Sequence, residues 1–337
     1  MMKYLKPFTQ NDLQHAISRR YDLTQEEQQP EDQAICFAQK IQVLEQMELE
    51  SIDASYVLMG IPEDIGVRAN MGRAGAAQAW EAFLKTFLSL QHSPLNDATR
   101  FAMLGQVETA DLMKQAESLD AAIHNQRIQL SHLTATLDQR VSEVVSQIGK
   151  TDKIPVIIGG GHNNAYPIIR ALGDQRPIDV INIDAHTDLR VGSGRHSGNG
   201  FRKALEEGYL RAYYMLGIQE AYLSQPMIQL IEEEDRLGYS AYQINYHHPE
   251  QMVKEALEHV DSSYFGLEVD MDVVANFPSS AQSPVGYDIN QLRQVIKTII
   301  EEADELPKYI HICEAAPKFG YPGQVGKALA MLVSDLP

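Results

Sequence analysis

Aspartate and histidine gather in two short stretches, Asp184-Ala185-His186-Thr187-Asp188 and Asp270-Met271-Asp272, and a further histidine, His162, ends the run Gly159-Gly160-Gly161-His162. Together these stretches supply two imidazoles and four carboxylates. Both groups ligate divalent cations, and carboxylates packed this densely raise one another's pKa unless a cation neutralises them. An oxygen-rich set with some nitrogen favours Mn²⁺, Fe²⁺ or Mg²⁺ over a thiolate zinc site. The count suits two ions that share bridging carboxylates. Two such ions about 3.5 Å apart share a water and bring its pKa towards neutrality, which yields a hydroxide nucleophile. Blander readings stay open for each stretch taken alone. The first is also what a polar turn with an aspartate cap looks like, and the second fits an exposed edge strand. The glycine run is also a phosphate-loop shape, although it lacks the GxGxxG spacing and a following Lys-Ser/Thr.

Positioning these groups requires strand ends. Asp184, His186 and Asp188 are two apart, so an extended backbone points all three the same way. Glu268 continues the parity of Asp270 and Asp272. Short apolar runs precede each stretch, and they recur along the chain: Tyr56–Met59, Phe101–Leu104, Pro155–Ile158, Val180–Ile183, Tyr213–Ile218, Tyr239–Ile244, Tyr264–Val269 and Tyr309–Cys313. Several are apolar almost throughout, as strands buried on both faces are. Helical patterns separate most of them. The expected fold class is therefore α/β, a parallel sheet with helices on both sides, and ligands bind outside the carboxyl ends of such strands. Apolar positions from Leu112 to Ile148 predict a long amphipathic cover helix or a helix pair. The first fifty residues are polar and rich in Gln and Glu, with a helix expected over Gln33–Leu49. We treat residues 1–50 as a helical extension packed on a main domain of residues 51–337.

Bulk properties narrow the function. The net charge of -18 disfavours phosphate backbones and anionic lipid as partners. Most of that charge reads as solvated helix face, as in Glu232-Glu233-Glu234-Asp235. Two cysteines, Cys36 and Cys313, allow neither a disulfide framework nor a cysteine-rich metal cluster. There is no apolar signal core at the start and no run approaching the ~18 apolar residues of a membrane span. A cytoplasmic enzyme acting on a small molecule is expected, with neither nucleic acid nor membrane as partner, and as a homo-oligomer.

These motifs resemble the arginase, agmatinase and formimidoylglutamase family, from about Tyr56 to about Leu336. The likeness rests on Gly160-Gly161-His162, on Asp184-Ala185-His186-Thr187-Asp188, on Glu268-Val269-Asp270-Met271-Asp272, and on Glu314 in His311-Ile312-Cys313-Glu314-Ala315-Ala316-Pro317. It implies a three-layer α/β/α domain with an eight-stranded parallel sheet and two Mn²⁺ ions per chain. It further implies that His162 and Asp188 bind the first ion, His186 and Asp272 the second, and that Asp184 and Asp270 bridge them. Asp188 would also accept a hydrogen bond from the bridging hydroxide, and Glu314 would pair with the cationic end of the substrate. The chain departs from the family's SxDxDxxDP segment at Glu268, in place of the serine, and at Ala275-Asn276, in place of Asp-Pro. Where arginases and agmatinases carry a histidine, Ser197 stands, one residue after His196; either would take the proton-transfer role. That serine resembles the SGTxF segment of formimidoylglutamases, and the segment from Gly60 to Ala76 resembles their GVRRNxGRxGA stretch.

Three functions follow as alternatives. The leading one is hydrolysis of a linear amidine, formimidoylglutamate to glutamate and formamide, a step of histidine degradation. The substrate's carboxylates would then meet Arg68, Arg73, Arg190, Arg195 or Lys318, with Ser197 and Asn199 beside them. Arginines in a glycine-rich loop also commonly tie carbonyls together, so Arg68 and Arg73 fit a structural role as well. The second function keeps the chemistry with arginine, agmatine or a guanidino acid as substrate, releasing urea. The third is a non-catalytic metal-binding relative, against which six intact ligand positions count.

Overall fold

The computed structural model describes residues 2–21, 35–44, 49–192, 194–242 and 250–337. In chain order its strands are β1 (Leu5–Pro7), β2 (Gln42–Val43), β3 (Tyr56–Gly60), β4 (Phe101–Val107), β5 (Ile154–Ile158), β6 (Ile178–Ile183), β7 (Leu210–Ile218), β8 (Leu237–Ala241), β9 (Phe265–Asp270) and β10 (Ile310–Cys313). They form one sheet in the order β1-β4-β3-β5-β10-β9-β6-β7-β8, with β2 also paired to β4. The eight strands from β4 to β8 in that order pair in parallel. These are the eight expected from sequence. Two more join from the first fifty residues, β1 antiparallel and β2 parallel to β4.

Alternation along each strand divides the core in two. Tyr56 and Leu58 of β3, Val156 and Ile158 of β5, and Ile181 and Ile183 of β6 face one side. Val57, Met59, Ile157 and Val180 face the other. Both sides are covered, so neither parity is polar and the runs read as continuously apolar. The first side is packed by α3 (Ala79–Phe87), α9 (Glu250–His259), α10 (Ile289–Glu302) and α11 (Gln324–Ser334), through Trp80, Val253, Leu292 and Leu329. The second is packed by α2 (Ile65–Ala69), α4 (Ala110–Glu117), α5 (His124–Ile148), α6 (Ala165–Gly173) and α7 (Gly200–Glu206), through Ile65, Leu112, Leu137, Ile169 and Phe201. The remaining helices are α1 (Gln10–Tyr21) and α8 (Gln225–Glu233). The pattern from Leu112 to Ile148 resolves into the pair α4 and α5. Among the described residues no helix is long and apolar enough to cross a membrane.

The helix expected over Gln33–Leu49 is a correction. Its described part, residues 35–44 and Leu49, holds a 3₁₀ turn at Phe37–Gln39, then β2, and at Leu49 the start of a second 3₁₀ turn, while 33, 34 and 45–48 lie outside the described residues. Phe37 and Ala38 donate their amides to Leu90 and Leu88 at 2.9 and 3.0 Å, and Phe37 is buried against Phe87 and Phe101. Tertiary pairing overrides the local periodicity. The strand expected over Tyr239–Ile244 ends at Ala241, and residues 243–249 lie outside the described residues.

Candidate metal centre

Four adjacent strands, β5, β10, β9 and β6, end on one rim of the sheet. His162 follows β5 through the glycine run, Glu314 follows β10, Asp270 ends β9 with Asp272 in the turn beyond, and Asp184 follows β6. The glycines are required by geometry: Gly159 and Gly160 have φ of 88° and 76°. A Cβ on Gly160 would stand 2.4 Å from Asn164 Nδ2.

The ligand stretches converge by turning, not by strand alternation. β6 stops at Ile183, and Asp188 sits at φ 49°, a left-handed conformation rare outside glycine. The His186 amide donates to Asp184 Oδ1 at 2.7 Å, and the Asp272 amide to Asp270 Oδ1 at 2.8 Å. Each bond curls its stretch so that the side chains point inward. Met71 and Glu314, both beside the same cavity, also hold positive φ at 61°. Such strain persists where surrounding structure enforces it, and it clusters at functional sites.

Six side chains meet in two groups. His162 Nδ1 lies 3.2 Å from Asp184 Oδ2, 3.1 Å from Asp188 Oδ2 and 3.2 Å from Asp270 Oδ2. His186 Nδ1 lies 3.1 Å from Asp272 Oδ2 and 3.7 Å from Asp184 Oδ1. Asp184 thus offers one oxygen to each group, and in each group the donor atoms lie within 4.8 Å of one another. Asp270 belongs to the first group only.

The residues fit divalent ions. Both ring nitrogens of His162 and Asp272 Oδ1 are buried without a hydrogen-bond partner. Leaving such an atom unsatisfied costs about 1–3 kcal/mol, which a cation relieves. The charges point the same way. Burial and then Asp272 and Asp184 push the Asp270 carboxyl well above its ordinary range. Burial also raises Asp188 and Asp272. Burial opposes charge on Asp184, yet His162 and His186 hold its carboxyl below the usual range. Burial opposes protonation of His162, but Cys313, Asp184, Asp188 and Asp270 outweigh it and raise the ring well above its ordinary value. His186 is pushed up to about 12, burial being outweighed by Asp272 and Asp184. The cluster carries more negative charge than two imidazoles balance, and protons fill the place of cations.

A cavity of about 220 Å³ opens over the groups, lined by Asn70, Met71, His186, Asp188, Arg190, Ser197, Tyr222, Ser280 and Glu314 among others. Glu314 is fixed at its wall: Oε1 accepts the His162 amide at 2.8 Å, and Oε2 accepts the Ser280 hydroxyl. Burial raises its carboxyl to about 8, against the lowering from Ser280 and the His162 amide. Tyr222 stacks on the His186 ring at 5.0 Å and 7°.

The basic residues expected at the substrate divide sharply. Arg190 lines the cavity and donates to Asn70 Oδ1 at 3.1 Å. Ser197 also lines it, accepting from Asn70 Nδ2 at 3.1 Å. Arg68 does not: its Nη2 donates to the carbonyls of Ala116 and Leu119 at 2.7 and 2.6 Å. Arg73 ties down the carbonyls of Ser279 and Ser280 and lies over the Phe319 ring. Arg195 is buried against Asp138, the Asn163 carbonyl and Asn199. Asn199 spends its amide on Arg195, His196 and the Gly194 carbonyl, closing the loop on itself. Lys318 lies over Phe319. His196 is not among the residues lining the cavity. Burial, then Arg195 and Arg190, takes its ring down to about 4.

Sequence reasoning missed one support, Glu63, and singled out Glu268 without its partners. Glu63, wholly buried, accepts from the Ile65 and Gly161 amides and from Asn163 and Asn164, pinning the glycine run. Glu268, also wholly buried, accepts from Tyr309 at 2.9 Å and pairs with His311 at 2.6 Å. The signal for the second was there: Tyr309 and His311 share the parity of one strand face in an otherwise apolar run.

The chain is 26% identical over 280 residues to a formimidoylglutamase of Macrococcus caseolyticus, covering 82% of each chain. Its fold is similar to that of a Trypanosoma cruzi formiminoglutamase solved with two Mn²⁺, at TM-score 0.67 and 20% identity, covering 90% of this chain and 98% of that one. It is also similar to formimidoylglutamase of Bacillus subtilis, at TM-score 0.68 and 17% identity, covering 95% and 96%. Residues 54–336 match the sequence pattern of the arginase family, and the chain belongs to that family.

Proposed function

We propose that this chain is a dinuclear-metal hydrolase of linear amidines whose substrate carries a carboxylate, with formimidoylglutamate as the leading candidate and glutamate and formamide as products. The observation that carries the reading is the composition of one cavity. A carboxyl that a bound amidinium would hold ionised, Glu314, and a cation for a carboxylate, Arg190, line it together with Asp188 and Asp270 of the first candidate ligand group and His186 and Asp272 of the second. The name of the Macrococcus caseolyticus relative supports the same substrate.

In this reading His162, Asp184, Asp188 and Asp270 would hold one Mn²⁺, and Asp184, His186 and Asp272 would hold the other. When bound, two such ions supply Lewis acidity and a water acidic enough to lose its proton near neutral pH. Asp188 would bind the first ion through Oδ2, which lies 3.1 Å from His162 Nδ1, and would accept a hydrogen bond from that water through its other carboxylate oxygen. Glu314 orients the amidine: each carboxylate oxygen has two acceptor sites, so one remains on each beside the His162 amide and Ser280. An N–H fork meets a carboxylate in paired, charge-assisted bonds. Arg190, with Asn70 and Ser197 beside it, receives the substrate's carboxylate. Arg68, Arg73 and Arg195 serve structure and not recognition in this reading, because they bond main-chain carbonyls and Asp138 and none of them lines the cavity. His196 is neutral near pH 7 and stands apart from the cavity, so Ser197 is the member of that pair that meets substrate.

The test is a comparison of kcat/KM on formimidoylglutamate, arginine, agmatine and guanidinobutyrate with saturating Mn²⁺, reading formamide and urea separately. Formimidoylglutamate is expected to lead by at least tenfold. Arginine or agmatine ahead by that margin would overturn the acidic-substrate reading, and turnover of none would favour a non-catalytic metal-binding protein.

A further inference from the structure

His162 has two faces. Its Nδ1 looks at Asp184, Asp188 and Asp270, and its Nε2 looks away from the cavity, 3.5 Å from Glu268 Oε2. That second side is itself a group of potential ligand atoms, His162, Glu268 and Cys313, within 4.8 Å of one another. One imidazole in its neutral form has a single lone pair, so a cation is taken on one side or the other.

Glu268 is more than a neighbour. Among the described residues it is a wholly buried carboxylate fixed from several directions. On β9 it stands level with His311 of β10. Oε2 pairs with His311 Nδ1 at 2.6 Å, and Oε1 accepts from Tyr309 at 2.9 Å. His311 Nε2 reaches on to the Gly159 carbonyl at 3.3 Å, tying the carboxylate to the glycine run that carries His162. Cys313 is the rival partner for Nε2, but a thiol is a weak acceptor and its Sγ points to the Val269 carbonyl at 3.7 Å. In this structure Nε2 stands at ion-pair distance from Glu268 without a formed hydrogen bond, and of its two neighbours the carboxylate is the one to which an imidazole N–H donates in a charge-assisted bond.

We propose that Glu268 is a positioning residue: braced by Tyr309 and His311, it holds the ring proton of His162 on Nε2, so that the lone pair on Nδ1 faces Asp184, Asp188 and Asp270, and the opposite group with Cys313 is closed to cations. The proposal rests on the dinuclear reading above. It also gives a role to the place where this chain departs from the serine of the resembled motif: a serine is too short to bridge the His162 ring to His311 and Tyr309.

The experiment measures Mn²⁺ binding to the full chain by following free Mn²⁺ with EPR, with circular dichroism and Tm recorded on every variant. Wild type is expected to bind two ions. In Glu268→Gln one of the two affinities should fall about 10–100-fold, the range for loss of such an outer partner, while the other stays within twofold. Tyr309→Phe removes one brace and should weaken the same site by a smaller factor, and it carries the test if the glutamine variant does not fold. Cys313→Ala should leave both affinities unchanged. Unchanged affinities in folded Glu268→Gln overturn the proposal, as does weakening in Cys313→Ala alone, which would assign Nε2 to the thiol. A purely structural role would lower Tm and both affinities together, which also overturns it. A wild type that binds no Mn²⁺ instead sinks the dinuclear reading itself.

Discussion

Arg195 and Asp138 meet fork to fork inside the protein, Nε to Oδ2 at 2.8 Å and Nη2 to Oδ1 at 3.2 Å. Both are buried, and the ring of Tyr166 lies under the guanidinium at 4.7 Å. The same guanidinium holds the Asn163 carbonyl, next to His162. Arg195 is therefore a strut beneath the site. Arg195→Ala should cost about 3–5 kcal/mol in urea unfolding, because Asp138 would be left buried without a counter-charge. Wild-type stability with a raised KM would instead return Arg195 to the substrate.

Glu314 is argued to touch substrate and not metal. It is absent from both ligand groups, and its oxygens accept from the His162 amide and Ser280. Glu314→Gln should then lower kcat/KM by at least a hundredfold, ~2.7 kcal/mol of transition-state stabilisation, with Mn²⁺ content unchanged. Loss of an ion in that variant would make Glu314 a ligand.

The eight-stranded core was legible because both faces of each strand are covered, which leaves runs such as Val156–Ile158 wholly apolar. The six ligand candidates were legible from residue type and spacing. The manner of their convergence was not: it depends on the left-handed backbone at Asp188 and on the turn at Asp272, and alternation along a strand says nothing of either. The fate of the arginines was illegible for a related reason. Arg68 and Arg190 are both near motif residues in sequence, yet one bonds carbonyls 48 and 51 residues away and the other faces the cavity. Those partners follow from how the segment between α4 and α5 packs on α2, which local sequence does not encode.

Metal binding should strengthen as pH rises. Without ions the site holds protons, since both His162 and His186 are raised above their ordinary values. Ligation requires them to leave, so each bound ion releases protons, and the apparent affinity falls as pH falls. Calorimetry of Mn²⁺ binding at pH 6.5 and 8.5, in buffers of differing ionisation enthalpy, reads both effects. A proton release of zero at pH 6.5 would contradict this.

Asp270 ends β9, with Oδ2 facing His162 Nδ1 at 3.2 Å and Oδ1 receiving the Asp272 amide. In Asp270→Asn the amide removes a charge without altering size. We expect bound Mn²⁺ to fall from two ions per chain towards one or none by elemental analysis, and turnover to be lost, with far-UV circular dichroism unchanged. Wild-type turnover by this variant would remove Asp270 from the site.

Arg190 is the residue proposed to set the choice of substrate. Among the described residues lining the cavity it is the one arginine, its aliphatic stem packed over Gly198 and its Nη1 on Asn70. Its side chain is exposed, so water screens any ion pair it makes. The effect of removing it should accordingly be smaller than for a sealed pair: about a tenfold rise in KM for formimidoylglutamate, ~1.4 kcal/mol, in Arg190→Met. kcat should change by less than threefold, because the contact is made equally with bound substrate and transition state. Arg73→Met supplies the contrast. Its guanidinium bonds the Ser279 and Ser280 carbonyls, so it should lower Tm without changing the ratio of KM values between formimidoylglutamate and a guanidine that has no carboxylate. If Arg73→Met raises KM for formimidoylglutamate selectively and Arg190→Met does not, the carboxylate lies at the other end of the cavity and the assignment of Arg190 is wrong.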